Sequence, residues 1–204
     1  MTLDTTQLMA IAAGLGWASG LRIYLVIFLT GLAGFLGWVD LPAGLKLLQH
    51  PLMLGASGLM LCVEFFADKI PGIDSLWDVL HTVVRIPAGA ALAAAVFGTD
   101  HATAAALAGV LGGVLAATSH AAKATTRAAV NTSPEPFSNI GLSLLGDGAV
   151  PVMLWLSWAS PLWFFALLAV ALVVMVVLIW LLAKFLRLLA RRVSVWLGSS
   201  QPST

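Results

Sequence analysis

The stretch EFFADKIPGIDSLWDVLHTVVR, residues 64–85, holds seven ionisable side chains (Glu64, Asp68, Lys69, Asp74, Asp78, His81 and Arg85) between two long apolar runs. On a helix, residues three, four and seven apart share a face. Asp74, Asp78, His81 and Arg85 follow that spacing, while Leu76, Val79, Leu80, Val83 and Val84 make the opposite face apolar. Such a stripe should face a bundle interior or a water-filled cavity, because a charge at the bilayer centre costs about 2.5–3.5 kcal/mol on insertion scales. Pairing is therefore expected. Asp78 and Arg85 lie two turns apart with His81 bridging them, and Arg22 is the natural cross-helix partner of Asp78.

Composition sets the solvent. The 204 residues are 60% hydrophobic and 9% charged, with mean hydropathy +1.00. Soluble domains carry about 25% charged residues. The chain reads as an all-α, polytopic transmembrane bundle, with room for about six spans of roughly 20 residues each. A net charge of +1 argues against nucleic-acid binding. Cys62 reads as a small buried hydrophobe.

Outward from the opening stretch, the spans follow in order. Leu8 to Trp38 is too long for one straight span and reads as a tilted or broken helix. Leu52 to Phe66 is the second span, and Pro71-Gly72 ends it. Ser75 to Phe97 and Ala102 to Val130 are the third and fourth. Ser138 to Trp158 is the fifth, interrupted at Gly146, Gly148 and Pro151. Leu162 to Ala183 is the sixth, and Lys184, Arg187, Arg191 and Arg192 follow it. The positive-inside rule puts that basic tail in the cytoplasm. Six spans then put the N-terminus there too, with the loops carrying Lys69 and Lys123/Arg127. A bacterial inner-membrane location is expected. Gly16/Gly20 and Gly109/Gly113 form small-xxx-small pairs that favour close helix approach and a homodimer.

Residues 1–98 and 99–204 each hold three spans and are compatible with a 3+3 inverted repeat containing broken helices. Asp74-x-x-x-Asp78 is echoed by Asn139-x-x-x-Ser143-x-x-x-Asp147. Transporters of that architecture build sites near the midplane. The wording of residues 64–90, with Gly20-Leu-Arg22 and SNIGLSLLGD at Ser138 to Asp147, resembles a family of bacterial membrane proteins known as domain of unknown function 4126. The resemblance covers most of residues 8–160 and implies no activity.

Three functions are weighed. A transporter or channel for a small ion or polar solute would use a polar path along Arg22, Asp78, His81, Arg85, Lys123 and Asp147, with Glu64, Asp68, Asp74, Arg127, Asn139 and Ser143 around it. Asp147 needs a partner, and Lys123 or Arg127 is expected. A metal-dependent enzyme acting on a lipid or phosphate-bearing substrate would hold a divalent cation between Asp74 and Asp78. A structural or assembly protein would use the charges for helix registry. Each site residue also has a bland reading. Ser75 and Asp78 fit a capping box, or Asp74 caps. His81 fits a hydrogen-bonded core histidine, Lys69 an interfacial anchor, and Lys123 and Arg127 topology signals. His50, His101 and His120 read as turn or interface residues. No cofactor is required by the sequence.

Overall fold

The computed structural model, which describes residues 3–70, 72–99, 101–132 and 136–198, turns each apolar run into helix and contains no strand among those residues. The elements are α1 (Thr5–Phe35), a 3-10 turn (Ala43–Gln49), α2 (Pro51–Ala67), α3 (Ile73–Ala95), α4 (Ala102–Val130), α5 (Pro136–Ala159) and α6 (Pro161–Gly198). Local chemistry fixes several ends. Asp4 accepts from the Gln7 amide while the Gln7 side chain accepts from the Asp4 amide, a capping box. His50 Nδ1 caps α2, with Pro51 at its first position. Five helices are long and apolar enough to cross a membrane, or six if the bent pair of the 3-10 turn and α2 counts as one.

α1 is broken, as its length predicts, and the break falls on one residue. Arg22 has φ −149° and ψ 78°, outside the helical region. The two limbs, 5–21 and 23–35, fold back on each other there. Leu3 and Gln7 line the same cavity as Thr30, Ala33 and Trp38. In a straight helix Gln7 and Thr30 would lie about 35 Å apart. Neighbours agree. Gly14 meets Ser157, Arg22 meets Ser143, and Leu29 and Thr30 lie again beside Leu154 and Trp155 of α5. The start of α1 therefore lies beside the α5–α6 junction, at Trp158 and Ala159. From there α6 runs 38 residues away, about 57 Å. The two ends of the described chain thus lie at opposite ends of the bundle.

Small residues let α1 sit at the centre. A Cβ on Gly16 would stand 2.6 Å from Gly112 Cα, and one on Gly20 would stand 2.1 Å from the Ala116 carbonyl oxygen. A Cβ on Gly89 of α3 would meet Ala116 Cβ at 2.7 Å. The first limb of α1, α3 and α4 therefore touch backbone to backbone. The Gly16/Gly20 face is filled by α4, and Gly109 and Gly113 face Ala94 and Ala90 of α3. Both small-residue faces are thus in contact within one chain.

The apolar side of α3 faces outward as expected: Leu76, Val79, Leu80, Val83 and Val84 are exposed while Asp74, Asp78, His81 and Arg85 are buried. Two expectations fail. α5 runs unbroken through Gly146, Gly148 and Pro151. Cys62 is exposed rather than buried. Trp17 lies in the core. At the α2–α3 junction Gly72 takes φ 88°, the conformation for which glycine is suited; its neighbour Pro71 lies outside the described residues.

The glycine contacts predict a stability contrast. Gly20→Ala should lower the melting temperature of the detergent-purified protein by several degrees. Gly55→Ala, with nothing within 4 Å of the added carbon, should be neutral or stabilise by up to about 1 kcal/mol. Equal melting temperatures for Gly20→Ala and the wild type would refute the tight crossing.

Candidate functional site: a buried ion-pair network at the α1 break

The break in α1 places Arg22 between α2, α4 and α5. Its Nη1 lies 2.8 Å from Asp68 Oδ2, and its Nη2 lies 2.8 Å from Asp147 Oδ1. Nη2 also donates to Ser143 Oγ at 2.8 Å. At the same break the Leu21 carbonyl, the C-terminal end of the first limb, accepts from Lys123 Nζ at 3.0 Å. A cation at a helix C-terminus is favourable because the carbonyls there carry partial negative charge.

Asp68, just past α2, is one of two acids that meet three cations each. Besides Arg22 it accepts from Lys123 Nζ at 2.9 Å and Arg127 Nη1 at 2.8 Å. Asp78 of α3 accepts from Arg85 Nη1 at 2.6 Å and Arg127 Nη1 at 3.1 Å, with Lys123 Nζ at 3.3 Å. Arg85 Nη2 reaches Glu64 Oε1 at 2.6 Å. Arg127 Nε is 3.8 Å from Asp74 Oδ2. Lys69 Nζ stands 3.5 Å from Asp147 Oδ2 and 3.1 Å from the centre of the Phe65 ring. Arg22, Lys69, Arg85, Lys123 and Arg127 thus face Glu64, Asp68, Asp74, Asp78 and Asp147, so five positive and five negative formal charges cancel. The network takes half of the ten Lys and Arg residues in the chain.

Burial makes neutrality necessary. Arg22, Arg85, Arg127, Glu64, Asp68 and Asp74 are essentially inaccessible. A lone charge in such a place costs several kcal/mol, and only close partners offset it. The exception is the Lys69–Asp147 pair. Its side chains are 19% and 20% exposed and its contact is the loosest but one.

Several expected pairings are exchanged. Arg22 pairs with Asp68 and Asp147, not with Asp78. Asp147 pairs with Arg22 and Lys69, not with Lys123 or Arg127. Lys69 is a network member rather than only an anchor. The physical reason is the fold-back: it brings Arg22 to α5, and α2 ends short enough to place Asp68 between α1 and α4. Asp78 and Arg85 touch directly, so His81 bridges nothing. His81 Nδ1 donates to the Trp77 carbonyl at 2.9 Å, and Nε2 accepts from the Tyr24 hydroxyl at 3.1 Å. It is a hydrogen-bonded core histidine stacked on Trp77. The Ser75–Asp78 capping box does not form, because α3 starts earlier, at Ile73. Asp74 serves the first turn instead, accepting from the Gly72 and Ser75 amides at 2.8 and 2.6 Å and from Asn131 Nδ2 at 3.1 Å. The side chain of Asn139 lies outside the described residues.

Sequence reasoning missed His120 and Asn131. Thr82 Oγ1 donates to the Asp78 carbonyl, so His120 Nε2 donates to Thr82 at 2.8 Å. Its Nδ1 then faces Arg85 Nη1 at 3.4 Å. The available signal was spacing: His120, Lys123 and Arg127 fall three and four apart, on one face of α4. A cavity of about 190 Å³ opens on the network, lined by Arg22, Lys123, Arg127, Thr126 and Ser143, with Trp17 and apolar side chains of α5 and α6.

Removing one partner of a buried pair leaves a bare charge. Asp68→Asn, which takes one carboxylate from each of Arg22, Lys123 and Arg127 and leaves the buried network one negative charge short, should destabilise the purified protein by about 3–5 kcal/mol. Asp147→Asn, partly solvated, should cost about 1 kcal/mol or less. Denaturant titration in detergent reads both, and equal costs would contradict the burial order described here.

Comparison with curated proteins and with solved structures found no match. The family match extends beyond the residues that carried the resemblance, through the first part of α6, and includes all ten members of the network. The chain belongs to the family described as Domain of unknown function (DUF4126), over residues 9–182.

Proposed function

We propose that the protein is a membrane transporter for a small ion or polar solute, and that the network at the α1 break is its gate. The observation that carries this reading is the closed, formally neutral set of ten charges at an interrupted helix. Both halves of the chain build it: Arg22, Glu64, Asp68, Lys69, Asp74, Asp78 and Arg85 from the first, Lys123, Arg127 and Asp147 from the second. Interrupted helices near the midplane are how many transporters present charge to a solute. Two cavities flank α1, one at Arg22 and one between its limbs. That favours a gate that opens alternately over a standing pore.

Neutrality constrains the mechanism. A charged solute entering the network must bring a counter-ion or a proton, or displace an internal partner. Lys69 and Asp147 are the most exposed members, at 19% and 20%. Release of Lys69 from Asp147 is the least costly opening, and Asp147 is the group that would exchange its partner for a solute or proton.

A structural role is the second reading, favoured by the fact that every carboxylate of the network already has a cation beside it. The lipid-enzyme reading is weaker. A divalent cation between Asp74 and Asp78 would have to displace Arg85, Lys123 and Arg127 from Asp78 and the backbone amides from Asp74.

We place the protein in a bacterial cytoplasmic membrane, with the basic end of α6 in the cytoplasm. Lys69, Lys123 and Arg127 are neutralised in the network, so Lys184, Arg187, Arg191 and Arg192 carry the orientation signal. The N-terminus then faces the opposite side. Impermeant thiol reagents on intact cells should label Cys at Thr6 but not at Arg192, in a Cys62→Ser background. Labelling of both or of neither would contradict the fold-back.

Proteoliposomes challenged with proton, potassium and chloride gradients should show protein-dependent flux. Asp147→Asn should reduce it about tenfold, roughly 1.4 kcal/mol on the barrier, with the protein still folded. Flux no greater than from lipid alone, or unchanged in Asp147→Asn, would sink the transport reading.

A further inference from the structure

The second cavity, about 840 Å³, opens between the two limbs of α1 and α5. None of the ten network residues lines it. Its size lies in the range of small-molecule sites, about 300–1,000 Å³. The wall is mostly apolar, and three of its members are tryptophans: Trp38, Trp155 and Trp158. The charged member is Asp40, an exposed carboxylate, and no Lys or Arg is in the wall. Asp40 forms no ion pair with the described residues. Thr30 also lines the cavity. It is 3% exposed, and its hydroxyl has no hydrogen-bond partner among the described residues.

These features belong together. A buried hydroxyl without a partner is costly, about 1–3 kcal/mol. Indole faces attract cations through the ring quadrupole. A lone carboxylate at an apolar cavity repels anions and draws cations. Interfacial Trp residues are common in membrane proteins, but a belt explains neither the unpaired Asp40 nor the buried Thr30 hydroxyl. We infer that the cavity between the α1 limbs is a binding site for an apolar organic cation, with Asp40 and the indoles taking the charge. The site stands on its own residues and does not depend on transport through the network.

The test uses two ions of nearly the same shape and opposite charge, tetraphenylphosphonium and tetraphenylborate. The full chain is purified in a neutral detergent, and binding is read by equilibrium dialysis and by tryptophan fluorescence. Tetraphenylphosphonium should bind saturably, one per protomer, and tetraphenylborate roughly tenfold more weakly. Asp40→Asn, an exposed position whose change should leave the melting temperature unaltered, should cut cation affinity by a similar factor and raise the affinity for the borate. Ala33→Trp, which places an indole in part of the cavity, should weaken the saturable phase for both. Equal affinity for the two ions, cation binding unaffected by Asp40→Asn, or no saturable cation binding by the wild-type protein would overturn the proposal. Neither result bears on the flux of small ions through the Arg22 network.

Discussion

The guanidinium of Arg22 holds Asp68 with one nitrogen and Asp147 with the other, both at 2.8 Å. Much of the architecture follows from that double pairing. It ties the turn of α1 to the end of α2 and to the middle of α5. It needs α1 to break, because a regular helix would carry the chain past this level of the bundle instead of turning it back. The break leaves the Leu21 carbonyl for Lys123, whose ammonium also touches Asp68. One non-helical residue thus fixes the placement of four helices.

Two kinds of contact make this possible. Glycines at positions 16, 20, 89 and 112 remove the side chains that would hold α1, α3 and α4 apart. Close packing of small residues is the main attraction available to helices in lipid, where apolar side chains gain nothing by leaving solvent. The close approach then puts buried charges within ion-pair distance. The pairing in turn keeps a set of charges stable where each alone would be expensive. Packing and electrostatics are therefore not separable here: a Cβ at Gly20 would push α4 away and lengthen the Lys123 and Arg127 contacts with it.

Much of this was legible in the sequence. The stripe Asp74, Asp78, His81 and Arg85 is a helical period on an apolar background, and its inward direction follows from charge alone. The bounds of α4 and the need for a break in α1 were equally readable. What was not readable is who pairs with whom. Arg22 was assigned to Asp78 on the assumption that the first span crosses once. A helix that turns back at its arginine presents that arginine to a different neighbour, and nothing in LGWASGLRIYLV announces the turn, since it contains no proline. Gly146, Gly148 and Pro151 looked like breakers, yet α5 passes through them, because tertiary neighbours override local propensity. His81 and His120 exchanged importance for a similar reason: spacing puts both on polar faces, but the helix that packs opposite decides which one meets the arginine.

The Arg22 pairings and the cavity between the α1 limbs both depend on α1 folding back at Arg22. Met9 and Phe35 stand thirteen residues to either side of it and both are exposed. Spin labels at these two positions, in the membrane-reconstituted protein, measure the fold-back directly. Limbs that return along each other predict a backbone separation of about 20 Å or less. A straight or merely tilted α1 predicts about 39 Å, and a distance near that value would contradict the hairpin and, with it, the placement of Arg22 between Asp68 and Asp147.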